Sequence, residues 1–272
     1  MTDFMNLPTA VAEKIEGKAY QRNDIGRSDS LVLVFDDMVL KIEKTSEISD
    51  NEYAMLRWLE GKLPVPHVIT FEQENGYNYL LMTKLSGSMA CEKRQSTAAV
   101  VRGLAAGLKM LWALDISDCP KKQTVTEKLM QAKRRMESGC LGGHAPDGSS
   151  DVYGCSDFAS LYAYLSENRP EEALVFSHGD YCLPNVFLSG ESVMGFLDLG
   201  SAGIADKWYD ISLCLWSMHY NFCELGDMAE KEFEKVKALL FAELGMAFDE
   251  KKVRYYNLLD EFFMCGNGNE TG

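Results

Sequence analysis

Between Ser30 and Glu43 the apolar residues fall into two short runs, Leu31-Val32-Leu33-Val34-Phe35 and Met38-Val39-Leu40-Lys41-Ile42, parted by Asp36-Asp37. β-Branched side chains suit a pleated surface and paired aspartates suit a turn, so this segment predicts a hairpin. A short helix is expected ahead of it, from Thr9 to Glu16. Behind it, Ser49-Asp50-Asn51-Glu52 has the S-x-x-E form of a capping box. The helix it opens should run to about Gly61, with Pro64 and Pro66 barring continuation. Phe71 to Glu74 and Tyr77 to Thr83 predict a second hairpin about Asn75-Gly76, a pair that tolerates the positive φ of a tight turn.

Near residue 85 the period changes. Val100 to Leu114 is apolar on most faces and predicts a buried helix, whereas Thr126 to Met136 is amphipathic and basic. Cys140 to Ser156 is rich in Gly and Ser and reads as a loop, followed by a short helix from Leu161 to Glu167 that Pro170 closes. Strand-like runs at Ala173 to Ser177, Asn185 to Leu188 and Val193 to Leu197 precede a mostly helical remainder from Trp208. A β-rich first third joined to a helical remainder predicts an α+β fold of two lobes, 1–86 and 87–272, with a cleft between them.

Composition narrows the function classes. The 27 basic and 41 acidic side chains give a net charge of -14, which disfavours nucleic acid and anionic membranes and suits a cationic partner. Eight cysteines without a C-x-x-C pair predict reduced thiols, not a disulfide framework or zinc site. No apolar run reaches the roughly 18 residues of a membrane span. The start, Met1-Thr2-Asp3-Phe4, lacks a basic region before an apolar one, so a cytoplasmic protein is expected.

The candidate chemistry lies in Ser177-His178-Gly179-Asp180-Tyr181-Cys182-Leu183-Pro184-Asn185 and, further on, Gly195-Phe196-Leu197-Asp198-Leu199-Gly200. Phosphoryl transfer needs a carboxylate to orient the attacking hydroxyl and oxygen ligands for Mg²⁺. Protein kinases place these groups as H-R-D-x-x-x-x-N followed by D-F-G, and the order and spacing recur here with Gly179 in place of Arg. Asp180 is thus the candidate base, and Asn185 and Asp198 the candidate metal ligands. Each alone is an ordinary turn residue; in register they point to one reaction. Lys41 could neutralise nucleotide phosphates if a carboxylate held it, and Glu52 is the natural holder. Gly26-Arg27-Ser28-Asp29-Ser30 is a small-residue loop through which backbone N–H groups could approach phosphates. His178, Cys182, Trp208, Tyr209 and Trp216 are expected to be structural.

Five segments carry a family resemblance: Trp58 to Pro66, Asp115 to Pro120, Val175 to Asp180, Phe196 to Gly200 and Ala205 to Ile211. The chain resembles the aminoglycoside 3'-phosphotransferases (kanamycin kinases), small-molecule kinases of protein-kinase-like fold, from about residue 5 to Phe263. The resemblance implies a bilobal fold with ATP between a nucleotide-binding lobe, 1–86, and a catalytic lobe, 87–272. It implies Lys41 and Glu52 as the phosphate-anchoring pair, Ser28 in a phosphate-covering loop, and backbone groups from Thr83 to Leu85 facing adenine. Asp180 would be the base, Asn185 and Asp198 the Mg²⁺ ligands, and Asp210 a brace for the Asp180 loop. The acceptor implied is the 3'-hydroxyl of an aminoglycoside antibiotic, its ammonium groups held by Asp147, Asp151, Asp157, Asp260 and Glu261, with antibiotic resistance as the outcome. Leu183, Ser201, Ile204 and a tail beyond Phe263 depart from the family pattern. The departures at Leu183, Ser201 and Ile204 motivate an alternative acceptor, another hydroxylated small molecule such as a macrolide, choline or a sugar.

Overall fold

Five strands near the start of the chain form one antiparallel sheet: β1 (Gln21–Asn23), β2 (Leu31–Val34), β3 (Met38–Lys44), β4 (Val68–Glu74) and β5 (Tyr77–Thr83), in the order β1-β2-β3-β5-β4. The computed structural model describes residues 7–23, 30–139, 141 and 155–264. Both expected hairpins form, and Asn75 and Gly76 take φ of 53° and 80° at the second turn. Lys41 pairs with Val32 on one side and Leu80 on the other, which holds its backbone mid-sheet.

Two helices flank this sheet, α1 (Thr9–Ile15) and α2 (Glu47–Leu59). The capping box of α2 is not the one read from the sequence. Ser46 is the N-cap, and its hydroxyl and that of Ser49 satisfy each other's backbone N–H. The helix therefore starts earlier, and Glu52 is released from any capping duty. Val11, Leu33, Phe35, Leu40 and Leu81 close a small core on the α1 face. Met55, Leu56 and Leu59 of α2, with Leu80 and Met82 of β5, join the main core, which runs on across residue 86 into the helical part.

That part contains two small sheets. Strand β6 (Ser88–Met89) pairs with β8 (Val186–Ser189), which pairs with β9 (Ser192–Phe196); β7 (Leu174–Ser177) pairs with β10 (Gly203–Asp206). The hydrophobic pattern predicts neither β6, which is two residues long, nor β10, whose Gly203-Ile204-Ala205-Asp206 carries a single β-branched side chain. Around them pack α3 (Thr97–Trp112), α4 (Val125–Glu137), α5 (Phe158–Glu167), α6 (Lys207–His219), α7 (Glu230–Leu244) and α8 (Glu250–Met264). α3 is buried as predicted, with Val101, Leu104, Leu108 and Leu111 fully enclosed. Trp208 and Tyr209 are core residues, but Trp216 is 38% exposed and stacks on Tyr220, against the expectation for it. Asn185 also differs from expectation. It ends a 3-10 turn, Leu183–Asn185, instead of opening β8, because Pro184 favours a turn over a ladder position. Among the described residues no helix is long and apolar enough to cross a membrane.

Candidate active site

β7 delivers the chain to Ser177, and a sharp reversal follows at Gly179, where φ is 77°. A Cβ on Gly179 would stand 2.0 Å from the Ser201 carbonyl oxygen, so the Arg of protein kinases has no room here. The loop is tied down from α6. Asp210, fully buried in its first turn, accepts hydrogen bonds from the Ser177 hydroxyl (2.9 Å) and from the backbone N–H of His178 (2.8 Å) and Gly179 (2.9 Å). Burial pushes the Asp210 carboxyl up from its ordinary value, opposed by His178 and these three bonds. Asp210 thus stands where the resemblance puts the brace, and Ser177 is a partner that sequence reasoning did not single out.

Asp180 follows this fixed reversal. Its Oδ2 accepts from Asn185 Nδ2 at 2.8 Å, and the same nitrogen donates to the Asp180 carbonyl at 3.0 Å. Both hydrogens of the Asn185 amide are thereby committed, which leaves its oxygen as the group open to a ligand. His178 is fully buried and edge-on to Tyr181 and Phe196, with its Nε2 lacking a hydrogen-bond partner among the described residues, so it is structural but not fully satisfied. Burial, then the Asp180 charge, push the Cys182 thiol well up, so it is no nucleophile.

Across the cleft, Lys41 Nζ lies 2.6 Å from Glu52 Oε2, 3.1 Å from Asp198 Oδ1 and 3.5 Å from Glu43 Oε1. Burial acts to lower the Lys41 ammonium, yet the charges of Glu52, Asp198 and Glu43 hold it above its usual value. Burial pushes Glu52 up to about 7, against the pull of Lys41. Asp198 has a left-handed backbone, φ 55°, rare and strained for a residue with a side chain, and its carboxylate is 55% exposed. One residue before Glu52, Asn51 donates to the carbonyls of Gly200 (2.9 Å) and Ala202 (3.0 Å), so α2 also grips the turn behind Asp198. Asn51 is a second residue missed in the sequence, where it reads only as the interior of a capping box.

Lys41, Glu52, Asn185 and Asp198 share a cleft of about 670 Å³ between the five-stranded sheet and β8. Val39, Met82, Phe187 and Leu197 give it apolar walls, and Thr83 and Leu85 line its edge. Charged and oxygen-bearing side chains thus share one cleft with apolar walls, which suits a molecule with a flat ring and a polyanionic tail.

Of the expected acceptor residues, Asp157, Asp260 and Glu261 lie among the described residues. Asp260, on α8, lies near Asp180 and takes a 2.7 Å hydrogen bond from the Tyr209 hydroxyl; burial pushes its carboxyl up, and the Asp180 charge adds to this. Glu261 is buried, and it and Asp157 stand near Cys155, whose thiol is raised by burial and then by those two charges. Asp157 is the N-cap of α5, accepting from Ser160 N at 2.7 Å, and this capping bond accounts for its place. Asp157→Ala is expected to cost about 1 kcal/mol in urea unfolding, the loss of one cap. Ser28, Asp147 and Asp151 lie outside the described residues.

A family model described as the phosphotransferase enzyme family matches residues 19–245. The chain belongs to that family. Among named relatives of this phosphotransferase, an aminoglycoside 3'-phosphotransferase of Niallia circulans is 39% identical over 78% of each chain. One of Enterococcus faecalis is 34% identical over 88% of this chain and 87% of its own. In fold, the phosphotransferase superposes on an aminoglycoside phosphotransferase of Streptomyces rimosus with a TM-score of 0.76 at 20% identity, over 93% of this chain and 96% of that one. The Streptomyces protein has also been solved with ADP and streptomycin (TM-score 0.71). The bilobal, protein-kinase-like α+β fold expected from the sequence is the fold of this phosphotransferase.

Proposed function

We propose that this phosphotransferase moves the γ-phosphate of ATP to the 3'-hydroxyl of an aminoglycoside and so confers antibiotic resistance. The observation that carries the reading is the convergence of Lys41, Glu52, Asn185 and Asp198 on one cleft, with Asp180 tied to Asn185 by a 2.8 Å hydrogen bond. In this reading residues 1–86 hold the nucleotide and 87–272 hold the acceptor. Lys41, anchored by Glu52, meets phosphate oxygens, and Thr83 to Leu85 offer backbone groups to the adenine. Asp180 orients the acceptor hydroxyl, which asks for position more than basicity because the transition state is loose. The Asn185 amide oxygen and the exposed Asp198 carboxylate are hard oxygen donors of the kind Mg²⁺ takes, so they fit that ion and would hold it. When bound, Mg²⁺ would neutralise charge on the phosphates. Asp260, beside Asp180, meets an ammonium group of the acceptor, and the net charge of -14 draws a polycation toward the protein.

The alternative acceptor loses part of its basis. Leu183 is fully buried and its N–H donates to the Ser217 hydroxyl at 3.0 Å, so that departure from the family faces the core. Turnover of kanamycin, neomycin, a macrolide, choline and a hexose with ATP and Mg²⁺ tests the proposal. A product phosphate at the 3' position by NMR is expected; turnover of a non-aminoglycoside alcohol alone would replace the reading.

The Lys41–Glu52 pair gives a pH dependence. As pH falls through about 7, Glu52 gains a proton and Lys41 loses its anchor, so KM for ATP should rise on the acid side. Glu52→Gln should raise that KM roughly tenfold at pH 8, about the value of a charged hydrogen bond, and flatten its pH profile. The stability sign is the opposite. Because the folded value of Glu52 is raised, its contribution to stability is full below 4.5 and is lost as pH rises through about 7.

A further inference from the structure

Along α4, Val125, Leu129 and Ala132 turn their apolar stripe into the core, and Lys128 stands in the same stripe with 4% exposure. A buried ammonium is costly unless its hydrogens find acceptors. Lys128 Nζ donates to the Tyr209 hydroxyl at 3.1 Å and lies over the rings of Tyr209 (4.4 Å) and Phe263 (4.8 Å). Tyr209, also buried, has a single hydroxyl hydrogen, and Asp260 Oδ1 receives it at 2.7 Å. The direction of the chain is therefore fixed: ammonium to phenol to carboxylate.

Nothing in the nucleotide cleft touches Lys128, and the reaction outlined above does not use it. A well-packed apolar residue would serve stability as well as a buried charge does. Its surroundings suggest another reason for its presence. Tyr209 of α6 and Phe263 of α8 lie under its ammonium, the charges of Asp260 on α8, Asp210 on α6 and Asp180 in the catalytic loop act on it, and Arg135 of its own helix also lies over the Phe263 ring. Three carboxylates thus act on one cation, and Asp180 also acts against the ionisation of Asp260. Asp260 is the member of this group that an acceptor would need ionised, and both burial and the Asp180 charge work against that.

We propose that Lys128 is a positioning residue of the acceptor site: through the Tyr209 hydroxyl it keeps the Asp260 carboxylate ionised and holds its orientation toward a cationic group of the acceptor beside Asp180. The inference deepens the acceptor reading and rests on it. Burial lowers Lys128 to about 8, with Asp260, Asp210 and Asp180 pulling it back up, so the cation is present at neutral pH and is lost on the alkaline side.

Two readouts test it. Carboxyl ¹³C NMR, with the Asp260 resonance assigned through Asp260→Asn, gives the ionisation midpoint without any acceptor. Lys128→Met should raise that midpoint by about one pH unit or more, a tenfold change in proton affinity, and Lys128→Arg should restore it. In kinetics with kanamycin, Lys128→Met should raise the acceptor KM roughly tenfold and leave the ATP KM unmoved. Tyr209→Phe, which removes one oxygen and carries both readouts if the Met variant does not fold, should do the same. The double variant should be no worse than the stronger single one. An unmoved Asp260 midpoint in folded variants, or an ATP KM that rises in step with the acceptor KM, would overturn the proposal. Absence of kanamycin turnover by the unmutated enzyme would instead refute the aminoglycoside reading, and the NMR midpoint would still decide the role of Lys128.

Discussion

Asp180→Asn is expected to lower kcat by roughly 10²–10⁴-fold, the range for removal of a group that handles the proton in the reaction. The substitution keeps the size of the side chain and leaves an oxygen able to accept from Asn185 Nδ2, now 2.8 Å from Asp180 Oδ2. The reversal before it is held by Asp210 and Gly179, not by the Asp180 side chain. Melting temperature and the KM for ATP should therefore stay near those of the unmutated enzyme, and single-turnover kinetics should place the loss in the chemical step. A kcat within a few-fold of the original would remove Asp180 from the reaction.

The largest stability effect is expected for Asp210→Ala. It leaves the Ser177 hydroxyl and the His178 N–H without their acceptor and the Gly179 N–H with only its longer 3.2 Å bond to Ser177 Oγ, all in a buried setting. An unsatisfied buried donor costs about 1–3 kcal/mol, so these losses together should cost about 3 kcal/mol or more. That is a large share of the roughly 5–15 kcal/mol that keeps a protein folded. Urea unfolding measures it, and activity should fall as well because Asp180 rides on the loosened loop. A loss under about 1 kcal/mol with full activity would mean the loop is held by other contacts.

Much of the fold and part of the site can be read from the sequence, and the division has physical causes. Hairpins at 31–42 and 71–83 are legible because apolar runs and a turn pair coincide, whereas β6 and β10 pair across long separations, β6 with only two residues and β10 with one β-branched side chain. The spacing of Asp180, Asn185 and Asp198 is legible because it is set by one tight turn and one hairpin. Glu52 is harder. The motif starting at Ser49 gives it a local role, and only the backbone shows that Ser46 has taken the cap. Asp157 stands out in the sequence as an acidic residue of the acceptor loop, while its role as the N-cap of α5 is visible only in the backbone. Lys128 leaves a visible trace, a lysine in register with Val125, Leu129 and Ala132, but no rule of periodicity names Tyr209 or Asp260 as its partners.

Asn51 and Glu52 are neighbours on a single helical turn, and each reaches into a different half of the reaction. Tilting α2 would disturb the grip on Lys41 and the seat of the Asp198 turn in the same movement. Weakened hold on the triphosphate and misalignment of the metal-facing carboxylate should therefore arise together.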